Sequence, residues 1–339
     1  MLSKNTIFIF FISILFFTTN SCTKTCNCKE LSSKSGIFYK DKEPYSGSCE
    51  TKIYGITKIQ KFKDGKLSGE LRSIGADGEL LSLTHYKEGK RNGWSVSFFS
   101  DGIKEKEDRY SDDKKNGISR SWYPSGEVKT EGKYIDGNRH GSHLEWFPKG
   151  QKKREANYFQ GVKHGEWTVW FESGKTKLKG KYLNGKKEGK WTTWYENGGL
   201  KEVKSFDKGI PEGEWLTWFE NGQVESKGKY KKGNKEGEWL TWYETGQAKS
   251  QFDYKLNALS GEYITWFING SVKEKGLYFE NLKTGCCMTY YENGEKESIA
   301  HYKKGKFDGD VTFWLPSGEK DIQTYANGNK LDSKAEPVF

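Results

Sequence analysis

A glycine recurs every 24 residues over most of this chain, at Gly69, Gly93, Gly117, Gly141, Gly165, Gly189, Gly213, Gly237, Gly261, Gly285 and Gly309, without insertion or deletion. Residues 213–236, GEWLTWFENGQVESKGKYKKGNKE, form the clearest copy, and Gly237-Glu238-Trp239 begins it again. A period of this length marks one supersecondary unit stacked on its neighbours, because a unit so short buries no core alone. Eleven units in register therefore predict one elongated domain growing in a single direction, where 339 residues would otherwise suggest two or three globular domains.

With the opening glycine as position zero, position two is Trp in Trp167, Trp191, Trp215 and Trp239. Position five is aromatic throughout, from Phe98 through Trp122, Trp146, Trp170, Trp194, Trp218, Trp242 and Trp266 to Tyr290 and Trp314, and position six is nearly always Tyr or Phe. Such a six-residue run bounded by glycine reads as a strand. A turn signal follows, as in Glu220-Asn221-Gly222 or Pro124-Ser125-Gly126. A second strand then spans residues 224–230, and a looser turn over residues 231–236 leads to the next glycine. Each unit is one hairpin. The chain is 33% hydrophobic and 15% aromatic, so aliphatic residues are too few for a thick core, and no long window has helical periodicity. The expected fold is all-β, an elongated single-layer antiparallel meander of about eleven to twelve stacked hairpin repeats.

If the first turn spans the four residues after Phe219, then Phe219 lies opposite Val224 and Trp215 opposite Gly228. The second pairing has a physical reason, since an indole lies flat across a strand only where that strand has little side chain. Gly132, Ala156, Gly180, Gly276 and Ala300 occupy the same position elsewhere. Period-two alternation then puts Trp215, Phe219, Val224 and Tyr230 on one face and Trp218 on the other, beside Glu225 and Lys227. A bulge in the turn would instead bring Trp218 to the first face.

Residues 1–22 carry one cation, Lys4, an apolar run over residues 7–17, and an end at Ser21-Cys22, the form of a secretory signal. The run is shorter than the ~20 residues of a transmembrane helix. Cys22 after a small residue resembles the lipobox of bacterial lipoproteins, which implies lipidation at Cys22 and a chain exported to the cell envelope and held at a membrane; Thr19 stands where that motif usually has Leu. Residues 23–35 read as a polar tether, residues 36–68 as a degenerate capping unit, residues 69–330 as the array, and residues 331–339 as a polar tail. A disulfide from Cys26 or Cys28 to Cys49 suits an oxidising compartment. Cys286 and Cys287 stand where other units have Glu-Trp and read as replacements on opposite faces of a strand.

The string G-x-W-x-x-W-[FY]-x-x-G followed by G-x-Y-x-x-G-x-x-x-G resembles the MORN-repeat variants of bacterial proteins, including YwqK-type antitoxins. The resemblance runs from about residue 62 to 328, with Trp167, Trp191, Trp215 and Trp239 and their partners Tyr182, Phe206, Tyr230 and Tyr254 in place. The looser-turn glycine is missing at Asp113, Asn257 and Asn281. The resemblance implies stacked hairpins in an antiparallel meander, and scaffolding, membrane association or binding of another protein as roles.

No catalytic chemistry is expected. The five histidines are His85, His140, His143, His164 and His301, scattered over several units with no nucleophile beside them. Neither the His140/His143 pair nor Cys26-x-Cys28 has the further ligands a metal needs, so no metal and no cofactor is expected. The net charge of +10 comes from Lys and Glu interspersed in every unit, the pattern of a solvated sheet and not of a nucleic-acid surface. The expected partner is another protein or an envelope polysaccharide, and the candidate binding face is the row Trp122, Trp146, Trp170, Trp194, Trp218, Trp242 and Trp266.

Overall fold

A computed structural model describes residues 25–315 and 317–331. Cys22, the signal-like segment, the first part of the tether and nearly all of the tail lie outside the described residues. Contacts divide the chain into two units, residues 1–95 and 96–339, with the division inside the strand Lys90–Phe98. Among the described residues each unit is built of strands, and consecutive strands pair antiparallel.

In the first unit Gly47–Ile53, Ile56–Lys63, Lys66–Ile74 and Leu80–Lys87 form a meander. Cys26–Asn27 lies parallel to Gly47–Ile53, and a disulfide joins Cys28 to Cys49. Of the two pairings open in the sequence, this is the one formed. Cys26 keeps its thiol and donates to the Tyr45 hydroxyl at 3.1 Å. A separate small sheet of Ser32–Lys34, Ile37–Lys40 and Glu43–Pro44 brings Phe38 to 4.9 Å from the Phe62 ring, with Tyr45 at 5.9 Å from the same ring. Phe62 is 5% exposed as a result. The atypical segment thus covers an aromatic that the array would otherwise leave open to water.

The second unit repeats the hairpin motif with one register, apart from the last hairpin, Lys306–Trp314 with Lys320–Ala326, which pairs without a register shift. Gly213–Trp218 pairs with Val224–Lys231, placing Gly213 opposite Tyr230, Trp215 opposite Gly228 and Thr217 opposite Ser226. Trp215 therefore meets Gly228 in register, as the sequence predicts. Beyond Thr217 the register shifts, and Val224 lies opposite Trp218 instead of Phe219. The shift leaves Glu225 as an extra residue in the second strand, and one extra residue turns the end of that strand over. Val224 consequently joins the face of Trp218, while Trp218 stays opposite to Trp215.

The connection over residues 231–236 is tighter than expected. Lys231 pairs directly with Asn234, and the two residues between them have positive φ, 50° at Lys232 and 84° at Gly233. This is a type I′ turn, whose twist matches that of the flanking strands. At Asn257 and Asn281 the second turn residue keeps φ near 70°, at 70° and 67°, and Asn is among the non-glycine residues that adopt this region. The following strand, Asn234–Trp242, therefore begins three residues before the repeated glycine. Gly237 lies inside it at φ 70°, and toward the preceding strand the pairing jumps from Lys227–Leu240 to Lys229–Glu236. The 24-residue glycine marks a bulge rather than a strand end, which is why a residue tolerant of positive φ recurs there.

Packing joins neighbouring repeats through this bulge. A Cβ built on Gly228 would meet the Trp239 indole at 2.1 Å, and one on Gly180 would meet the Trp191 indole at 2.2 Å. At Gly132, Gly180 and Gly228 the ring over the strand glycine comes from the following repeat, and not from its own hairpin as the sequence suggested for Trp215; at Gly276 the following repeat supplies Cys287, and the Tyr263 ring of the same hairpin lies 3.1 Å from where a Cβ would stand. The bulge is the reason, because it moves position two of the next strand across the glycine. Ala156 and Ala300 serve the same position at 1% and 4% exposure. Tyr residues interleave the indoles, with Trp215–Tyr230 at 4.2 Å, Tyr230–Trp239 at 5.1 Å and Tyr182–Trp191 at 4.9 Å. Lysines lie over the rings, as Lys235 does at 4.3 Å from Trp239 and 4.8 Å from Tyr254.

Polar contacts at both hairpin ends tie several of the hairpins to the next. The Tyr195 and Tyr243 hydroxyls donate to the carbonyls of Trp218 and Trp266, at 2.8 and 2.9 Å, and the Asn221 amide donates to the Glu244 carbonyl at 2.8 Å. At the other end the backbone N–H of Lys232 donates to the Glu212 carboxylate at 2.7 Å.

Gly228→Val should lower stability by about 1–3 kcal/mol through overpacking, although Val has the higher strand propensity by up to about 1 kcal/mol. Denaturant melts of a double-mutant cycle identify the ring responsible. Trp239→Ala should relieve much of the loss caused by Gly228→Val, and Trp215→Ala should not; the reverse pattern would refute the packing across repeats.

Candidate functional site

The packed face leaves the other face of the sheet to solvent. In each hairpin positions three and five and the first residue of the second strand lie together there, as Leu216, Trp218 and Val224 do. The next copies are Leu240, Trp242 and Ala248, then Ile264, Trp266 and Val272. All of these residues are half-buried, as are Trp122, Trp146, Trp170 and Trp194. Two strands at ~4.8 Å separate one Trp from the next, so the row repeats about every 10 Å. Lys104 and Lys152 reach 5.7 Å from the Trp122 and Trp170 rings, and so carry charge beside the apolar band.

The histidines of the second unit do not converge on one site, although His140 and His164 flank the Phe159 ring, His164 at 6.1 Å. His143 occupies position two, His140 lies 5.5 Å from the Phe159 ring, and the His301 backbone pairs opposite Cys286. Cys287 takes the place of Trp beneath Gly276 and is 3% exposed, while Cys286 points to the other face, as expected for a replaced pair; both are free thiols.

Sequence reasoning passed over one feature of the packed face. Between Asp108 and Arg154 the indoles of the ladder give way to smaller polar groups, with Asp108 at a strand-glycine position and Ser119 and His143 at position two, while Tyr134 and Tyr158 remain and lie 5.2 and 5.1 Å from the His143 ring. Asp108 is 4% exposed, accepts from the Ser119 hydroxyl at 2.5 Å and pairs with Lys115 at 2.8 Å and Lys106 at 3.4 Å. Burial works to raise its pKa, but hydrogen bonds from Lys115 and Ser119 outweigh it and hold the carboxyl below its ordinary value. Burial pushes His143 below the usual histidine value, and its Nε2 donates to the Lys133 carbonyl at 2.9 Å. Arg139 is held above its ordinary value, first by a hydrogen bond with Tyr134. The departure from Trp at positions 119 and 143 was the available signal; only packing shows that the substitutions adjoin.

The fold and the two faces define a β-hairpin repeat array. Six of its segments, residues 115–136, 163–184, 187–208, 211–232, 235–256 and 283–304, match the family described as MORN repeat variant. No curated protein matches it. Among solved structures, "Crystal Structure of TcdB2-TccC3-Cdc42" aligns at 12% identity over 88% of this chain and 21% of that chain, with a TM-score of 0.17. "Crystal Structure of TcdB2-TccC3 without hypervariable C-terminal region" aligns at 12% identity over 91% of this chain and 19% of that one, with a TM-score of 0.16. This chain spans about a fifth of the length of those chains.

Asp108 makes the stability of the fold depend on pH. Its folded pKa is depressed, so its contribution is present above the unfolded value of ~3.9 and is lost as pH falls through the folded value. Asp108→Asn should cost about 1–3 kcal/mol at neutral pH by leaving Lys115 without its carboxylate. Below about pH 4 the parent should lose stability with pH more steeply than the variant. Urea melts from pH 7 to pH 3 measure the difference, and parallel curves would contradict the assignment.

Proposed function

We propose that this chain is a non-catalytic repeat protein of the bacterial cell envelope that docks another protein along the band of Trp122, Trp146, Trp170, Trp194, Trp218, Trp242 and Trp266. The observation that carries this reading is the unpartnered apolar band on the face opposite the packed ladder, regular from Leu216 to Val272. Contiguous aromatic and aliphatic surface of this kind is what interfaces use, with Trp the strongest anchor. MORN-type repeats in the chain are consistent with binding and scaffolding. An antitoxin-like role would use the same face.

The regular spacing also favours a second reading, an envelope polysaccharide whose sugar rings stack on successive indoles. One experiment separates the two. Replacing Trp218, Trp242 and Trp266 by Thr should leave circular dichroism unchanged, because the packed face is untouched. Loss of the band should cost a protein complex about 2 kcal/mol or more, roughly thirtyfold in affinity. Cross-linking mass spectrometry on envelope extracts and a glycan array, run with parent and variant, read the outcome. Retention of every parental ligand by the variant would end both readings.

The envelope placement rests on lipidation of Cys22, proposed from the apolar run that ends at Ser21-Cys22. Mass spectrometry of the mature N-terminus should find an acylated Cys22, and Cys22→Ser should release the protein from the membrane fraction. An unmodified N-terminus elsewhere would remove the anchor and leave the band unaffected.

A further inference from the structure

The polar interruption in the aromatic ladder leaves a cavity of about 100 Å³ on the packed face, open to solvent on the side of the exposed Arg139. It exists because position two is small or polar in two successive repeats, Ser119 and His143, where Trp167 and Trp191 fill the space further along. Thr130, Tyr134, Arg139 and Tyr158 complete its wall. Its charges are unevenly matched. The Glu145 carboxylate in the same wall is already satisfied by Arg154 at 2.9 Å and Lys153 at 2.8 Å. Arg139, by contrast, meets hydroxyls and rings. Its guanidinium donates to the Tyr158 hydroxyl at 3.0 Å and lies 5.2 Å from the centre of that ring, and no carboxylate is within ion-pair distance of it among the described residues. A guanidinium has five donors in a planar fork shaped for an oxyanion, and each phenol that accepts from it keeps a proton to donate.

We infer that this cavity is a binding site for a single oxyanion group, a phosphate or a carboxylate, held by Arg139 with the hydroxyls of Tyr134, Tyr158 and Thr130. The volume admits one such group and little more, so the ligand is either the free ion or the terminal group of a larger molecule whose remainder lies outside. Neither the Trp218 band nor the proposed envelope role enters this inference.

Thermal melts and calorimetric titrations of the full chain, at fixed ionic strength with chloride as reference, test it. Inorganic phosphate, acetate and glycerol 3-phosphate are the probes. Phosphate stabilises most proteins without a site, so the readout is the difference between parent and variant. At ten times Kd the parent Tm should rise by about 3 °C more than that of Arg139→Gln. Tyr158→Phe keeps the ring beneath Arg139 and should weaken binding several-fold with the melt in chloride little changed, which provides a readout if Arg139→Gln folds poorly. Equal responses to phosphate and glycerol 3-phosphate support a terminal-group site, a response to phosphate alone supports a free-ion site, and a response to acetate alone supports a carboxylate site. Saturable binding that is the same in parent, Arg139→Gln and Tyr158→Phe, or no binding of any probe by the parent, would overturn the proposal.

Discussion

The contact on which the array depends is an indole laid across a glycine of the preceding repeat. At Gly228 and Gly180 the space a side chain would need is filled by Trp239 and Trp191, so each hairpin completes the core of the one before it. A hairpin alone would have its glycine uncovered and its ring in water. Stability is therefore shared between neighbours, as in other arrays in which a unit touches only adjacent units. The small sheet that brings Phe38 onto Phe62 meets the same requirement at the start of the described chain.

That contact also decides which surface remains available. Once positions two, fifteen and seventeen pack together, the residues between them are directed to the other face, and Trp218 with its equivalents is among them. The two bulges reinforce the division. The one at Gly237 moves an indole onto the preceding repeat, and the one at Glu225 turns Val224 toward Trp218, so the open face gains an aliphatic residue beside Trp218, as it does beside Trp242 and Trp266. An apolar band thus follows from the same backbone irregularities that build the core. The gap around Ser119 and His143 is the converse case. There the backbone register continues while the indole is replaced by the Ser119 hydroxyl and the smaller His143 imidazole, and polar groups line the space.

Much of the hairpin was legible because its signals are local. Alternating aromatics, Asn-Gly turns and a glycine opposite Trp215 each depend on residues close in sequence, and each predicted element formed. The errors arose where two repeats meet. The residues 231–236 read as a loose turn because their charge resembles a loop, whereas a two-residue turn frees Asn234, Lys235 and Glu236 to extend the next strand. Val224 was placed on the wrong face because one unpaired residue, Glu225, reverses a period-two count.

The sequence by itself determined the all-β hairpin, its 24-residue period and the opposition of the Trp215 and Trp218 rows, since strand alternation and turn chemistry act over a few residues. Only the tertiary structure decided that Trp239, and not Trp215, covers Gly228, because that depends on a bulge whose register is set by two strands together. It likewise decided that Ser119, Thr130, Arg139, His143 and Tyr158 surround one cavity, since residues on four consecutive strands converge only after each has paired with the next.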